Sequence, residues 1–164
     1  MIKHKVAMIG AFAVGKTSLV QRFVTGIFSE RYQTTIGVRI DQRQVTVDGR
    51  DVLMMLWDLQ GEDDVHSVPF QHLRGSTGFF VVADGTRPET LDTALRLRQQ
   101  ALDRLGEVPS LLLLNKADLD DQWQLPEPRL DELRRDGLAI VHTSAKRGDQ
   151  VAEAFDDLAR AMLT

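Results

Sequence analysis

Short apolar runs alternate along this chain with longer stretches in which apolar residues recur at helical spacing. The apolar runs cover residues 6–9, 79–83, 111–114 and 140–141. The stretches with helical spacing follow them at residues 17–24, 91–105, 130–133 and 151–163. Residues 79–83 and 111–114 are apolar at successive positions, which is typical of strands buried on both faces. The alternation therefore predicts an α/β fold in which a mostly parallel sheet is covered by helices on both sides.

One segment departs from this alternation. Between Val38 and Trp57, two long runs flank Asp48 and Gly49, a dipeptide that favours the positive φ angles of a tight hairpin turn. This pattern predicts one antiparallel edge strand beside the parallel strands. We expect a three-layer sandwich with a sheet of about six strands, formed by a single domain over residues 1–164. In such a sheet, ligands bind beyond the carboxyl ends of the strands.

Composition and charge narrow the candidate ligands and the compartment. The chain is 43% hydrophobic and 27% charged, its net charge is -4, and its lysine and arginine residues are scattered. A net negative chain without a basic face is not expected to bind nucleic acid, and a polyphosphate ligand would need a focused pocket. The sequence has no cysteine, which excludes disulfides and a prenyl or palmitoyl anchor. Since no apolar run is long enough to span a bilayer, we expect a cytoplasmic chain with no lipid anchor.

Residues 10–17 read GAFAVGKT and match the pattern of a phosphate-binding loop, placed between a predicted strand and a predicted helix. Glycines allow backbone amides to curl around phosphate oxygens, and the dipole of the following helix favours an anion. Lys16 would add positive charge at the outer phosphates, and the Thr17 hydroxyl would bind a Mg²⁺ that bridges them. The alternative, a glycine turn that merely opens a helix, is disfavoured by this context.

A second group of polar residues follows the apolar run at residues 111–114. Asn115, Lys116 and Asp118 lie at the carboxyl end of this predicted strand, on the same rim as the phosphate loop. A carboxylate at Asp118 can accept hydrogen bonds from the ring and exocyclic N–H groups of guanine, and adenine offers no matching pair of donors. Residues 143–146 follow the next strand in the same way. For the first group alone, a polar turn at a strand end is an equally good interpretation.

The order and spacing of these motifs resemble the Ras superfamily of small GTPases, most closely the Rab type, over nearly the whole chain. The resemblance implies a Ras-like G domain of the P-loop NTPase class that binds GTP or GDP with Mg²⁺. It also implies that Asn115 buttresses the loops and that Asp118 reads guanine. The residues expected around the base are Lys116, Lys146, Phe28 and, through its amide, Ala145. The full set implied to bind the nucleotide is Gly10, Ala13, Val14, Gly15, Lys16, Thr17, Ser18, Phe28, Thr35, Gly61, Asn115, Lys116, Asp118, Ser144, Ala145 and Lys146.

The resemblance further implies two switch segments that respond to the terminal phosphate. Thr35 matches the first-switch threonine that joins Mg²⁺ only in the triphosphate state, and Asp58 matches the second-switch aspartate that holds the metal through water. With Thr17, they are the implied metal ligands, and the Gly61 amide would contact the γ-phosphate. Loss of that phosphate would release both segments and change the surface that a partner meets. Effector and regulator proteins would therefore bind residues 28–40 and 58–75. We expect the chain to be monomeric.

Two positions depart from the family pattern. Glu62 occupies the position of the family's catalytic glutamine, and an ionised glutamate only accepts hydrogen bonds and faces a highly charged phosphate. The candidate catalytic residues are Lys16, Glu62 and Gln60, since Glu62 could accept a proton from water and Gln60 is close enough in sequence to substitute. Phe12 occupies a position where the family has a small residue, and its ring would obstruct an arginine finger. Packing of Phe12 on the second switch is an equally good interpretation.

These residues favour a GTP-dependent switch with slow hydrolysis, and the alternative is a non-hydrolysing GTP-binding interaction module. An ATP-using phosphotransferase is disfavoured by Asp118. The family's C-terminal extension and its lipidated cysteines are absent from the sequence, which argues against membrane cycling of the Rab kind. His66 and His72 are six apart on a segment expected to be helical, so they would face different sides and form no metal site.

Overall fold

A computed structural model describes residues 1–29 and 35–164. In these residues, the strands are β1 (Ile2–Gly10), β2 (Val38–Val47), β3 (Arg50–Leu59), β4 (Gly78–Asp84), β5 (Ser110–Asn115) and β6 (Ile140–His142). The helices are α1 (Lys16–Thr25), α2 (Glu89–Leu105), α3 (Glu127–Arg135) and α4 (Val151–Met162). The strands form one sheet in the order β2-β3-β1-β4-β5-β6. In it β2 is antiparallel to β3 and the other pairs are parallel, which confirms the predicted mostly parallel sheet with one antiparallel edge strand.

The central strands are apolar at successive positions because helices cover both faces of the sheet. Val6 and Met8 of β1 share a core with residues of α1 and α4, whereas Ala7 and Ile9 share the opposite core with residues of α2 and α3. All four side chains are fully buried. Burying a side chain such as Val6, Met8 or Ile9 contributes about 1.5–3 kcal/mol. The predicted three layers therefore follow from the alternation of side chains along each strand.

The predicted hairpin joins β2 to β3. Asp48 and Gly49 have φ angles of 51° and 76°, the left-handed conformation that a two-residue hairpin turn requires. The ladder then runs back until Val38 lies opposite Leu59. Because β3 is also parallel to β1, the first residues of β2 lie at the same edge of the sheet as the carboxyl ends of the parallel strands. The hairpin thus places Val38, at the start of β2, and Leu59, at the end of β3, on the same edge as the phosphate loop.

The segment that follows β3 is not the helix predicted around residues 66–72. Its described helical part is a single 3₁₀ turn, Phe70–Leu73. Asp63 Oδ1 accepts a hydrogen bond from the backbone N–H of His66 at 2.6 Å, and side-chain bonds of this kind compete with helix formation. Pro69 has no N–H to donate within a helix. The prediction of a helix here was wrong, and these two local features oppose one.

The helices are amphipathic, and each buries one side against the sheet. In α4, the buried side includes Val151, Phe155 and Leu158, and the ring of Phe155 stacks on that of Phe23 in α1 with centroids 3.9 Å apart. This contact holds α1, which begins directly after the phosphate loop, against α4. Among the helices of the described residues, none has both the length and the apolar character needed to cross a bilayer.

Candidate functional site

The loop at residues 10–17 is held in shape by four side chains that donate to its backbone carbonyls. The pairs are Lys16 Nζ to Ala11 O at 3.3 Å, Arg87 Nη2 to Phe12 O at 2.9 Å, Lys116 Nζ to Ala13 O at 3.4 Å and Asn115 Nδ2 to Val14 O at 3.0 Å. Gly15, with φ of 100°, leads the chain into α1, and a Cβ at this position would lie 2.3 Å from Asn115 Nδ2. A loop of this shape before a helix N-terminus is suited to binding phosphates.

Two of these four donors share one buried carboxylate. Asp84, at the end of β4, is fully buried, and its Oδ2 lies 2.8 Å from Lys116 Nζ and 3.1 Å from Arg87 Nε. Burial acts to raise the pKa of the Asp84 carboxyl, but hydrogen bonds from Lys116 and Thr86 outweigh it and hold that pKa below its ordinary value. Neither Asp84 nor Arg87 was predicted from the sequence as a site residue. Asp84 could have been found because it is an aspartate at the carboxyl end of an apolar strand, on the rim where ligands bind.

A cavity of about 400 Å³ opens beyond the carboxyl ends of the strands. It is lined by Phe12, Ala13, Gly15, Lys16, Thr17, Ser18, Phe28, Ser29, Thr35, Gly61, Asn115, Lys116, Asp118, Leu119, Ala145 and Lys146. The volume lies in the range typical of small-ligand sites. The cavity therefore brings the phosphate loop, the residues after β5 and those after β6 around one space.

Most residues predicted to bind the nucleotide line this cavity. The exceptions are Gly10, Val14 and Ser144, which are buried and lie outside its lining. Three residues that the predicted binding set did not include, Phe12, Ser29 and Leu119, belong to the lining. Neither Gln60 nor Glu62 is among the lining residues, although Gly61 between them is. Of the predicted first switch, residues 30–34 lie outside the described residues.

At the end of the cavity where we predicted the guanine base, polar side chains after β5 bind residues after β6, and Asn115 also binds the phosphate loop. Asp118 Oδ1 accepts a hydrogen bond from Ser144 Oγ at 2.8 Å. Asn115 Oδ1 accepts from the Ala145 backbone N–H and from Thr143 Oγ1, each at 3.3 Å. Because Asn115 also donates to the phosphate loop, it joins the predicted base-binding residues to the predicted phosphate-binding ones, as a buttress would.

At the opposite end, three oxygen-bearing side chains converge. Thr17 Oγ1 donates to Asp58 Oδ2 at 2.5 Å, and Thr35 Oγ1 lies 2.6 Å from Thr17 Oγ1 and 3.2 Å from Asp58 Oδ2. Asp58 is fully buried, and among the described residues its Oδ1 has no hydrogen-bond partner. Burial raises the pKa of Asp58 against the attraction of Lys16, and burial likewise lowers the pKa of Lys16. Hard oxygen donors with an unsatisfied carboxylate oxygen fit Mg²⁺.

The start of the second switch lies directly against the phosphate loop. The Glu62 N–H donates to Gly10 O at 3.1 Å, and the Phe12 N–H donates to Glu62 O at 2.8 Å. The Glu62 carboxylate does not turn into the cavity but forms a two-pronged ion pair with Arg96 of α2, in which Arg96 Nη1 donates to Oε1 at 3.1 Å and Nη2 donates to Oε2. Gln60 Oε1 accepts from the Gly37 N–H at 2.9 Å.

A phosphate-loop motif, an aspartate at a strand end and a cluster of oxygen donors that fits Mg²⁺, all on one rim of a mostly parallel sheet, are the features of a guanine-nucleotide-binding protein of the P-loop class. The sequence model of the Ras family matches residues 5–164. The chain therefore belongs to the Ras family, and as such it is a small GTPase that binds GTP and GDP with Mg²⁺. The resemblance that the sequence motifs indicated is confirmed.

The curated relatives of this chain include several Rab proteins. Ras-related protein Rab-8B of Homo sapiens is 32% identical over 162 residues, which cover 98% of this chain and 78% of the relative. Ras-related protein Rab-13 of Bos taurus is 31% identical, with 97% and 79% covered. Ras-related protein Rab-10 of Caenorhabditis elegans is 29% identical, with 97% and 80% covered. The similarity to the Rab type thus extends over nearly the whole chain.

Proposed function

We propose that this chain is a GTP-dependent switch that binds effector proteins in its triphosphate state and hydrolyses GTP slowly. One observation carries the slow rate: both side chains that could orient an attacking water are bound to other groups. The Glu62 carboxylate pairs with Arg96, and the Gln60 amide oxygen accepts from Gly37. A water nucleophile is therefore left without the side chain that normally positions it.

The chemistry of Glu62 adds to this effect. A glutamine amide can accept from water with its oxygen and donate to the γ-phosphate with its nitrogen, whereas a carboxylate only accepts. A carboxylate turned toward the γ-phosphate would also meet a group of the same charge. The ion pair with Arg96 avoids that repulsion, but it also removes Glu62 from the place where it could act as a base. Both effects act in the direction of a low intrinsic rate.

Phe12 supports a weak response to activating proteins. Its ring lines the cavity and is 37% exposed, and the Arg87 guanidinium is bound to its backbone carbonyl. An arginine finger must enter beside this position to reach the transferred phosphoryl group, so a phenyl ring and a resident guanidinium both occupy its route. A partner that supplies an arginine should therefore accelerate hydrolysis little.

The remaining residues hold the nucleotide in our proposal. Mg²⁺, when bound, would offset the negative charge of the phosphates. Thr17, Thr35 and Asp58 would hold the metal, since their oxygens already converge. Lys16 binds the outer phosphates from the cavity wall, and Asp118 reads guanine. Because Thr35 and Gly61 belong to different switches, a γ-phosphate bound to both would hold the two segments together.

The proposed partner surface comprises the switch segments at residues 28–40 and 58–75. Three large apolar side chains there are exposed, namely Ile36, Ile40 and Val65. Large apolar side chains left exposed in these segments would be available for contact with a partner protein. We also propose that residues 1–164 form one domain that acts as a monomer. Light scattering of the purified chain in each nucleotide state measures its mass and tests this.

Single-turnover hydrolysis of GTP with Mg²⁺ tests the rate that we propose. We expect slow phosphate release from the wild type, and faster release from Glu62→Gln, because the amide can both donate and accept.

An arginine-supplying activating protein should accelerate the wild type by less than about tenfold, against the 10³-fold or more that such an arginine can supply. The variant Phe12→Gly with Glu62→Gln should regain the response. Rapid hydrolysis by the wild type would refute slow turnover, and no release at all would favour the non-hydrolysing interaction module.

A further inference from the structure

The Glu62–Arg96 ion pair joins the segment that follows β3 to helix α2. Arg96 lies in α2, and its guanidinium donates to both carboxylate oxygens of Glu62. The Glu62 side chain is 23% exposed and that of Arg96 is 48% exposed. A solvent-exposed pair of this kind usually stabilises a fold by at most about 1 kcal/mol. The ion pair therefore contributes little to the stability of the fold, and its main effect is to fix the position of the Glu62 carboxylate.

The backbone of Glu62 is fixed at the phosphate end of the site. It exchanges hydrogen bonds with Gly10 and Phe12 of the phosphate loop. The preceding residue, Gly61, is so close that a Cβ there would lie 2.9 Å from Lys16 Nζ. With its backbone held in this place, the Glu62 carboxylate lies toward α2, and Glu62 is not among the residues that line the cavity beside Gly61 and Lys16. The bidentate geometry with Arg96 holds it toward α2.

We propose that Arg96 is a specificity-determining residue, which sets the preference for GTP over GDP by keeping the Glu62 carboxylate away from the γ-phosphate. This inference rests on the proposed function. The triphosphate carries additional negative charge at the position nearest to Gly61, so a released carboxylate would repel GTP more than GDP. The hydrogen bonds that Arg96 donates to Glu62 raise the pKa of Arg96, so the guanidinium stays charged.

The test is the ratio of two affinities, measured by displacement of a fluorescent nucleotide with GDP and with a non-hydrolysable GTP analogue in Mg²⁺. In Arg96→Met, affinity for the analogue should fall relative to GDP by at least about fivefold, because like charges a few ångströms apart repel even through partial solvent screening. Arg96→Lys keeps the charge but loses the two-pronged geometry, so it should give a smaller change. In a Glu62→Ala background, Arg96→Met should leave the ratio unchanged.

A matched control is a second arginine that pairs with the same helix. Arg129 of α3 pairs with Asp92 of α2, at 2.5 Å and with similar exposure of the arginine, and this pair joins two helices and does not involve Glu62. Arg129→Met should leave the ratio of affinities at its wild-type value. An unchanged ratio in Arg96→Met, or an equal change in Arg129→Met or in the Glu62→Ala background, would overturn the proposal. Failure of the wild type to bind either nucleotide would instead overturn the proposed function.

Discussion

The Asp84 carboxylate and the Lys116 ammonium lie 2.8 Å apart at the ends of neighbouring parallel strands, with Asp84 completely buried. Lys116 also donates to Ala13 of the phosphate loop, and Arg87, the other cation on Asp84, donates to Phe12. One buried carboxylate thus orients two cations that hold successive carbonyls of that loop. A carboxylate with such partners is a positioning residue for the phosphate site, although it does not line the cavity itself.

Asp84→Asn should therefore loosen the phosphate loop. The amide keeps the shape of the side chain but loses the charge, which leaves two cations without their shared counterion, and we expect the free energy of unfolding to fall by about 2–3 kcal/mol. GDP should dissociate several-fold faster. Chemical denaturation and the release of a fluorescent GDP analogue measure the two effects. Asp92→Asn, which removes an exposed ion pair with Arg129, is the control and should change both quantities little.

The same carboxyl predicts a pH dependence of stability. Its pKa in the folded protein is lower than the ordinary value of 3.8, so the unfolded chain binds the proton more readily than the folded one. The contribution of Asp84 to stability is therefore present above about pH 4 and is lost as the pH falls through the folded pKa. The difference in unfolding free energy between wild type and Asp84→Asn should shrink as the pH is lowered from 6 toward 3. A difference that stays constant over this range would contradict the ion pair.

The sequence was sufficient to predict the sheet because burial on both faces leaves a plain signal. Strands such as β4 and β5 have no exposed polar position, and the Asp48–Gly49 turn has few alternative conformations. The place of the phosphate loop and of Asp118 beside the cavity could also be predicted, since their motifs are short spacings within single loops. These parts of the fold and site depend on local sequence, which a single chain displays directly.

The contacts that govern the proposed rate and specificity could not be predicted in this way. Glu62 meets Arg96, and Gln60 meets Gly37, only because the sheet brings distant segments together. Asp84 could have been suspected as a site residue from its place at a strand end. Its pairing with Lys116, however, depends on how the fold brings the loops after β4 and β5 together. The segment around His66 and His72 was expected to be helical, and the turn that Asp63 closes was not foreseen. Side-chain pairing across segments is a property of the folded state and has no periodic signal.

Gly61→Ala should separate the two nucleotide states. An added Cβ would lie 2.8 Å from the Phe12 Cα and 2.9 Å from Ala11 O, and these backbone atoms cannot rotate aside as a side chain would. The second switch must therefore move away from the phosphate loop, and any contact of the Gly61 amide with a γ-phosphate is lost. We expect affinity for a non-hydrolysable GTP analogue to fall about tenfold or more, as the loss of a hydrogen bond to a charged group implies, with GDP affinity nearly unchanged.

The control for this change is Asp64→Ala, an exposed position in the same segment, which should alter neither affinity. Equal affinities of Gly61→Ala and the wild type for the analogue would show that the segment does not need to stay against the loop. An equal loss for GDP and the analogue would place the effect on folding and not on the switch. Thermal unfolding of both variants distinguishes these outcomes.

Asp58→Asn should weaken the response of the nucleotide to Mg²⁺. Asp58 is the carboxylate of the three converging oxygen donors, and its amide replacement keeps the size but removes the negative charge that a hard cation needs. In the wild type, removing Mg²⁺ should speed GDP dissociation steeply. In Asp58→Asn, the Mg²⁺ concentration that half-maximally retains GDP should rise by about tenfold or more, because the charge–charge attraction is lost.

Asp118→Asn, at the end of the cavity where we predicted the guanine base, is the informative comparison. It should speed GDP release at every Mg²⁺ concentration alike, whereas a wild-type Mg²⁺ response in Asp58→Asn would remove Asp58 from the metal site.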